Sequence, residues 1–311
     1  MSLIETFTRH RIMIQKLRIK PSTFEELQNT LDRESEIRGG NYNISIRTFQ
    51  RDLQDISELY SIEIAYNKST KLYEIVYAMP DEYSDRLFEA FDIFQALQTN
   101  QDFSEYIQFD TRKPAGTGYL AELLIAVKEK KQLQITYQKF WTGQPEIRTI
   151  EPYLLKEFRR RWYVFAYDLK SKDFRVFGLD RILNLLETGA KFQHPKSINP
   201  KDHFKEVFGI IGSSKDFKAQ EIILSFRKSA DDAANVPNQG EYIKSMPLHF
   251  SQEIIKDTPS EIVIKLFLRP NWEFIMELLY YGEYVEILKP ASLRKKVQKR
   301  IAAAYALYHK S

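Results

Sequence analysis

Three consecutive arginines, Arg159, Arg160 and Arg161, run straight into the aromatic stretch Trp162-Tyr163-Val164-Phe165-Ala166-Tyr167. Strand formation has no use for that charge. Strand alternation sends Arg160, Trp162, Val164 and Ala166 to one side and Arg159, Arg161, Tyr163, Phe165 and Tyr167 to the other. The second face joins guanidinium groups to flat rings, a pairing that holds phosphates by charge and bases by stacking, at roughly 1–3 kcal/mol per stacked base. The same alternation in RVFGLDRI sets Arg175, Phe177, Leu179 and Arg181 together, unless Gly178 introduces a bulge. A second reading stays open: the rings are core and the arginines pair with Glu146, Glu151, Glu157 and Asp180.

Another candidate surface lies in ISIRTFQRDLQDI. With Ser45 as N-cap, Ile46, Phe49, Leu53 and Ile56 recur at helical spacing and predict one apolar stripe. Arg47, Gln50, Arg51 and Gln54 are left on the outward face, the side-chain types that contact guanine, adenine and phosphate from a recognition helix. Together with Ser45 and Thr48 at the helix start they are the candidate DNA contacts. The alternating segment SIEIAYNKSTKLYEIVY follows and predicts a hairpin wing, whose tip residues Lys68 and Lys71 reach toward phosphates. Residues 1 to 78 carry eleven Lys or Arg and eleven Asp or Glu, so placement rather than bulk charge has to carry such binding.

Several chemistries are excluded early. The chain of 311 residues has no cysteine, which removes disulfides, thiolate metal sites and cysteine nucleophiles. Its five histidines show no paired metal-ligand spacing, and neither a phosphate-cradling glycine loop nor a nucleophile elbow is present. No cofactor, metal or catalytic residue is therefore expected, and the chain reads as a non-enzyme. No apolar run approaches the roughly 20 residues that span a bilayer, so the protein is expected in the cytosol. The net charge is only +4, but residues 288 to 310 carry seven Lys or Arg and no acid, either a solvated helix face or a surface for a polyanion.

These residues have to be positioned by elements of several kinds. Helices are predicted from about Leu3 to Ile19, after the Pro21-Ser22-Thr23 stop and cap, and from Ser45; with the hairpin they make a winged helix over 1–78. A helical region covers 79–132, with DTRKPAGTG as a linker inside it. Period-two stretches from Leu133 to about 190 predict four or five short strands of a small barrel. Beyond a connector, 191–311 reads strand, short helix, two strands, helix, strand, helix, with Gly282 and Pro290 as punctuation and Trp272 as a core anchor.

Several of these segments resemble the WYL-domain family of bacterial transcriptional regulators. The matching residues are ITY with Tyr137, RTIEP from Arg148 to Pro152, Trp162-Tyr163 followed by Val164 where the family commonly has Leu, and RVFGLDRI with Arg175, Phe177, Asp180, Arg181 and Ile182. ISIRTFQRD is similar to the family's winged-helix signature, and VEILKPASLRKKV to its C-terminal extension of the WCX type. The resemblance implies an α+β chain: a winged helix-turn-helix head, a helical linker serving dimerisation, an Sm-like β-barrel at 133–190, and a C-terminal α/β sandwich. It also implies a barrel that senses an oligonucleotide or nucleotide-like effector and a head that binds a double-stranded operator as a homodimer. Carried over by motif, the groove residues are Tyr137, Arg148, Tyr163, Arg175 and Arg181, which Arg159 and Arg161 join from strand geometry. Val164 in place of Leu affects packing only, and the family's groove histidine has no counterpart. The alternative is a nucleic-acid-binding accessory partner of a nuclease or phage-defence system, with no promoter contact.

Overall fold

The computed structural model describes residues 3–78, 86, 88–90, 93, 115–140, 143–193, 199–212, 218–228 and 239–309. The chain divides into two compact units, Met1–Asp110 and Thr111–Ser311.

In the first unit, helices α1 (Leu3–Ile19), α2 (Phe24–Arg38) and α3 (Ile46–Tyr60) precede strands β1 (Ile62–Asn67) and β2 (Leu72–Ala78). Thr23 and Glu26 close a reciprocal capping box at α2, with Glu26 N donating to Thr23 Oγ1 at 3.1 Å and Thr23 N to Glu26 Oε2 at 2.9 Å. β1 and β2 pair antiparallel, and Ser22 exchanges backbone hydrogen bonds with Tyr73 at 3.1 and 2.8 Å, adding a one-residue bridge to the hairpin. Met13, Ile14, Leu27, Leu31, Phe49 and Ile56 form the core, and Phe49 meets Tyr73 of the wing edge-on at 4.8 Å. This is the winged helix-turn-helix order.

The stripe of α3 differs from expectation. Phe49, Asp52, Ile56 and Tyr60 are its buried residues, Leu53 is half-buried and Ile46 is exposed. Asp52 enters the core because α1 brings an arginine to meet it. Arg9 Nε and Nη2 donate to Asp52 at 2.5 and 2.8 Å, and both side chains are fully buried. Of the helix predicted over 81–100, residues 86, 88–90 and 93 are described and helical, and Phe88 packs on Tyr60 at 5.2 Å. The remainder of that stretch and residues 110–114 of the predicted linker lie outside the described residues.

The second unit opens with α4 (Leu120–Glu129), which sequence patterning groups with the connecting region. Leu123 and Ala126 of α4 sit in the core of the sheet that follows, so this helix is part of the sheet layer. That sheet contains β3 (Lys131–Gln138), β4 (Pro145–Phe158), β5 (Arg161–Asp168), β6 (Asp173–Gly178) and β7 (Ile182–Lys191), all antiparallel in the order β6-β5-β4-β3-β7. Pro152 has no N–H for the ladder, and the β4/β5 register slips there with Tyr153 as the extra residue. Tyr137 Oη on β3 accepts from Gly178 N on β6 at 3.3 Å, although β4 and β5 lie between them in the sheet. The sheet is therefore curled across its inner face. No ladder joins β6 to β7 among the described residues, so the expected small barrel is an open one.

A short helix, α5 (Pro200–Phe204), leads to the last layer. There β8 (Gln220–Arg227), α6 (Gln239–Ser245), β9 (Glu253–Asp257), β10 (Glu261–Leu268), α7 (Trp272–Tyr280), β11 (Val285–Lys289) and α8 (Ala291–Tyr308) build a sheet ordered β11-β8-β10-β9 with helices packed on it. Its core holds Leu224, Phe226, Ile264, Leu266, Phe274 and Leu278. Trp272 is not the anchor that the sequence suggests. At the first position of α7 it remains 43% exposed, and Phe274, Ile275 and Leu278 fill the core instead. Residues 246–250, expected in a strand, form turns, and strand pairing begins at Glu253. The mixed helix and antiparallel-sheet architecture is α+β.

Candidate nucleic-acid interface

The helix predicted to read DNA is capped at its start. Ser45 Oγ accepts from Thr48 N at 3.3 Å, and the two hydroxyls are 3.1 Å apart, so both residues serve the N-cap. Arg47, Gln50, Arg51 and Gln54 are all exposed, and Gln54 Nε2 donates to Glu58 one turn later. Lys68 and Lys71 are exposed in the hairpin turn, where Asn67 Oδ1 accepts from Ser69 N at 3.0 Å and Lys71 takes a φ of 57°.

On the second unit, Tyr137, Arg148, Arg175, Phe177 and Arg181 line one pocket of about 350 Å³ at the curled inner face, joined by Lys139 and Glu146. Four of the seven residues expected to bind ligand therefore converge. They are not equally free. Arg148 donates to Glu146 and to the fully buried Asp168, both at 2.7 Å, and Lys139 takes the other Glu146 oxygen at 2.8 Å. Bonds from Lys139 and then Arg148 hold the Glu146 carboxyl down to about 2, so Glu146 is ionised at neutral pH. Arg175 is exposed and, among the described residues, donates only to the neutral Ser171 hydroxyl, at 3.2 Å.

Arg181 sits in the turn Leu179–Arg181 with its guanidinium 5.2 Å from the centroids of both the Tyr137 and the Phe140 rings. Its Nε is buried without a hydrogen bond, 3.9 Å from Asp180 Oδ1. Gly178 makes room for this arrangement: a Cβ there would lie 2.7 Å from both Arg181 Nη2 and Asp180 Oδ1. Tyr137 and Phe177 meet edge-on at 5.0 Å, and burial pushes the Tyr137 phenol upward, keeping it neutral.

Three expected ligand residues are placed otherwise. Arg159 is not on the strand face. It and Arg160 take φ values of 49° and 61° in the two-residue turn between β4 and β5, which breaks the alternation, and Arg159 pairs with Glu277 of α7 at 2.5 Å. Arg161 is tied to Asp180 and lies 5.8 Å from the Phe140 ring, and it does not line the pocket. Tyr163 is buried on the β5 face it shares with Phe165. That face is not an open stacking platform: Phe165 stacks on Phe174 at 5.0 Å and on His203 at 4.4 Å, and Phe204 and Val207 cover it. So much ring area is buried more favourably under the connector than left in water.

Sequence reasoning missed Lys139 and Phe140, and had Glu146 as an arginine's partner, which it is for Arg148. Phe140, 70% exposed at the end of the β3 pattern, was the available signal, since an exposed ring beside a turn has no core role. His10, Asp52 and Asp55 bring possible ligand atoms within 4.8 Å of one another, but the Arg9 fork already occupies both Asp52 oxygens.

Residues 118–186 match the WYL domain and residues 218–305 the WCX domain. The chain therefore carries a WYL domain followed by a WCX domain. It is 24% identical over 161 residues to the DNA-binding transcriptional repressor CapW of Escherichia coli, covering 48% of this chain and 53% of that protein. Over 169 residues it is 27% identical to the uncharacterized HTH-type transcriptional regulator YobV of Bacillus subtilis, covering 54% and 49%. The matches thus span about half the length of these curated relatives. Among solved structures, the proteasome accessory factor B/C (PafBC) of Arthrobacter aurescens overlaps 99% of this chain and 48% of its own at 20% identity, with a TM-score of 0.38, too loose an overlay to support a conclusion. No helix among the described residues is long and apolar enough to cross a membrane.

Proposed function

We propose that this protein is a DNA-binding transcriptional regulator whose first unit contacts an operator through α3 and the wing, and whose curled sheet binds an oligonucleotide or nucleotide-like effector. The observation that carries the effector reading is the Arg181 guanidinium resting on Tyr137 and Phe140 at the pocket, with Arg175 beside it free of any carboxylate among the described residues. Two cations beside the exposed Phe140 ring offer a phosphate its charge and a base its stacking partner. The cationic Arg148 is occupied by Glu146 and Asp168 and shapes the pocket wall. Names of relatives that regulate transcription support the DNA-binding half, as does the exposed polar face of α3. The effector acts by favouring one of two head arrangements in a homodimer, a shift bounded by its differential affinity for the two.

Gel-shift titration on the DNA upstream of the protein's own gene tests the head. Arg47→Ala/Arg51→Ala should abolish the shift, and an unchanged shift removes the assignment. Titrating short single strands against wild type and Arg181→Ala tests the pocket, and equal affinity removes the effector. The balanced charge of the head keeps the accessory-partner reading in play, and a duplex footprint separates the two, because that reading expects none.

A further inference from the structure

The cationic C-terminal segment is not simply a solvated helix face. Trp272, Ile275, Lys296, Lys299, Arg300 and Ala303 line a second pocket of about 510 Å³ between α7 and α8, sharing no residue with the first. The spacing explains it. Trp272 and Ile275 stand one turn apart on α7, while Lys296, Lys299, Arg300 and Ala303 follow the three- and four-residue steps that put side chains on one face of α8. Arg300 lies over the Trp272 ring at 4.4 Å. Lys299 and Arg300 form no ion pair among the described residues.

The acids of α7 do not neutralise this groove. Glu273 accepts from the backbone N–H groups of Ile210 and Ile211 at 2.7 and 2.9 Å, and Glu277 is held by Arg159. On α8, Arg294 pairs with Glu286 at 2.7 Å, away from the groove lining. What remains is an exposed indole with an apolar floor of Ile275 and Ala303, rimmed by cations. An indole offers stacking to a planar ring, and the neighbouring ammonium and guanidinium groups offer charge to phosphate. The volume falls in the usual range of small-ligand sites, roughly 300–1,000 Å³.

We infer that the groove between α7 and α8 is a second ligand site, which takes a phosphorylated nucleoside, free or as part of a single strand, with its base stacked on Trp272 and its phosphates on Lys299 and Arg300. The inference does not depend on the effector pocket, and the test is built to keep them apart.

Binding of a fluorescent short thymidine oligonucleotide is measured in the full chain carrying Arg175→Ala/Arg181→Ala, with ATP, pyrophosphate and adenosine as competitors. Trp272→Ala and Lys299→Ala/Arg300→Ala should each weaken binding by about tenfold or more, and Trp272→Phe should retain most of it. ATP should displace the probe at lower concentration than pyrophosphate or adenosine. Displacement by ATP marks a free nucleotide as sufficient, and binding of the strand without displacement by ATP marks the strand form. Wild-type-like affinity in both variants overturns the site, and equal competition by pyrophosphate overturns the stacked base. Loss of binding accompanied by a dimer-to-monomer change in light scattering also overturns it, assigning the face to contact between copies.

Discussion

Arg148 and Arg181 line the same pocket, yet their environments give them different work. Arg148 neutralises Asp168, which is fully buried, so Arg148→Ala leaves a stranded charge and should cost about 3–5 kcal/mol of stability, read as a lowered denaturation midpoint. Arg181→Ala removes a group with no such partner. It should leave the midpoint near wild type and weaken a bound short strand by about 1–3 kcal/mol, measured by titration. Gly178→Ala should reproduce that loss, because its methyl group takes the place of the Arg181 guanidinium; affinity equal to wild type would show that the pocket tolerates the shift. His249 supplies a pH dependence. Burial, and next the nearby Lys156, lower its pKa from 6.5 to about 4. Between those values the unfolded chain holds a proton that the folded chain lacks, so stability falls as pH drops from about 6.5 toward 4. Thermal melts across that window should show the slope, and His249→Gln should reduce it, leaving the part supplied by His203, whose pKa burial also lowers.

At the scale of elements, α3 is governed by its start and by its buried face. Ser45→Ala removes the acceptor for Thr48 N and should cost about 0.5–2 kcal/mol by chemical denaturation, while leaving every outward side chain of α3 in place. The Arg9–Asp52 pair links α1 to α3 within the core. Asp52→Ala removes the buried carboxylate that the Arg9 fork holds and should destabilise by about 3–5 kcal/mol, whereas replacing both partners together with apolar residues should recover much of that loss. Recovery in the double variant, followed by equilibrium unfolding, is the decisive comparison. β4 shows the same dependence on one residue: the bulge after Pro152 turns Tyr153 toward Phe192 and Phe204, outside the inner core that Leu155 joins.

Across the whole molecule, the curled sheet and the last layer share a unit and touch through charge, since Arg159 in the β4/β5 turn bonds Glu277 on α7. Under the proposed function, this pair is the contact through which a ligand at the curled sheet would reach the helix carrying Trp272. Glu277→Gln should alter how a bound short strand changes operator affinity without changing operator affinity in its absence. Gel-shift titrations with and without a short strand measure both quantities, and an identical effector response in the variant removes the link.

Much was legible before any tertiary contact. Apolar periodicity and caps determined the winged-helix elements, because a Thr-x-x-Glu box, an Ser N-cap and a period switch from helical to alternating are local in origin. The WYL and WCX segments carried enough motif to be recognised, and Tyr137, Arg148, Arg175 and Arg181 did converge. Which of those cations stays available was decided only by folding. Asp168 and Glu146 reach Arg148, Asp180 reaches Arg161 and Glu277 reaches Arg159 over 2 to 118 residues of sequence. Alternation assigns a face to a side chain, but the partner waiting on that face comes from another strand or helix, and the availability of a charge is a property of both.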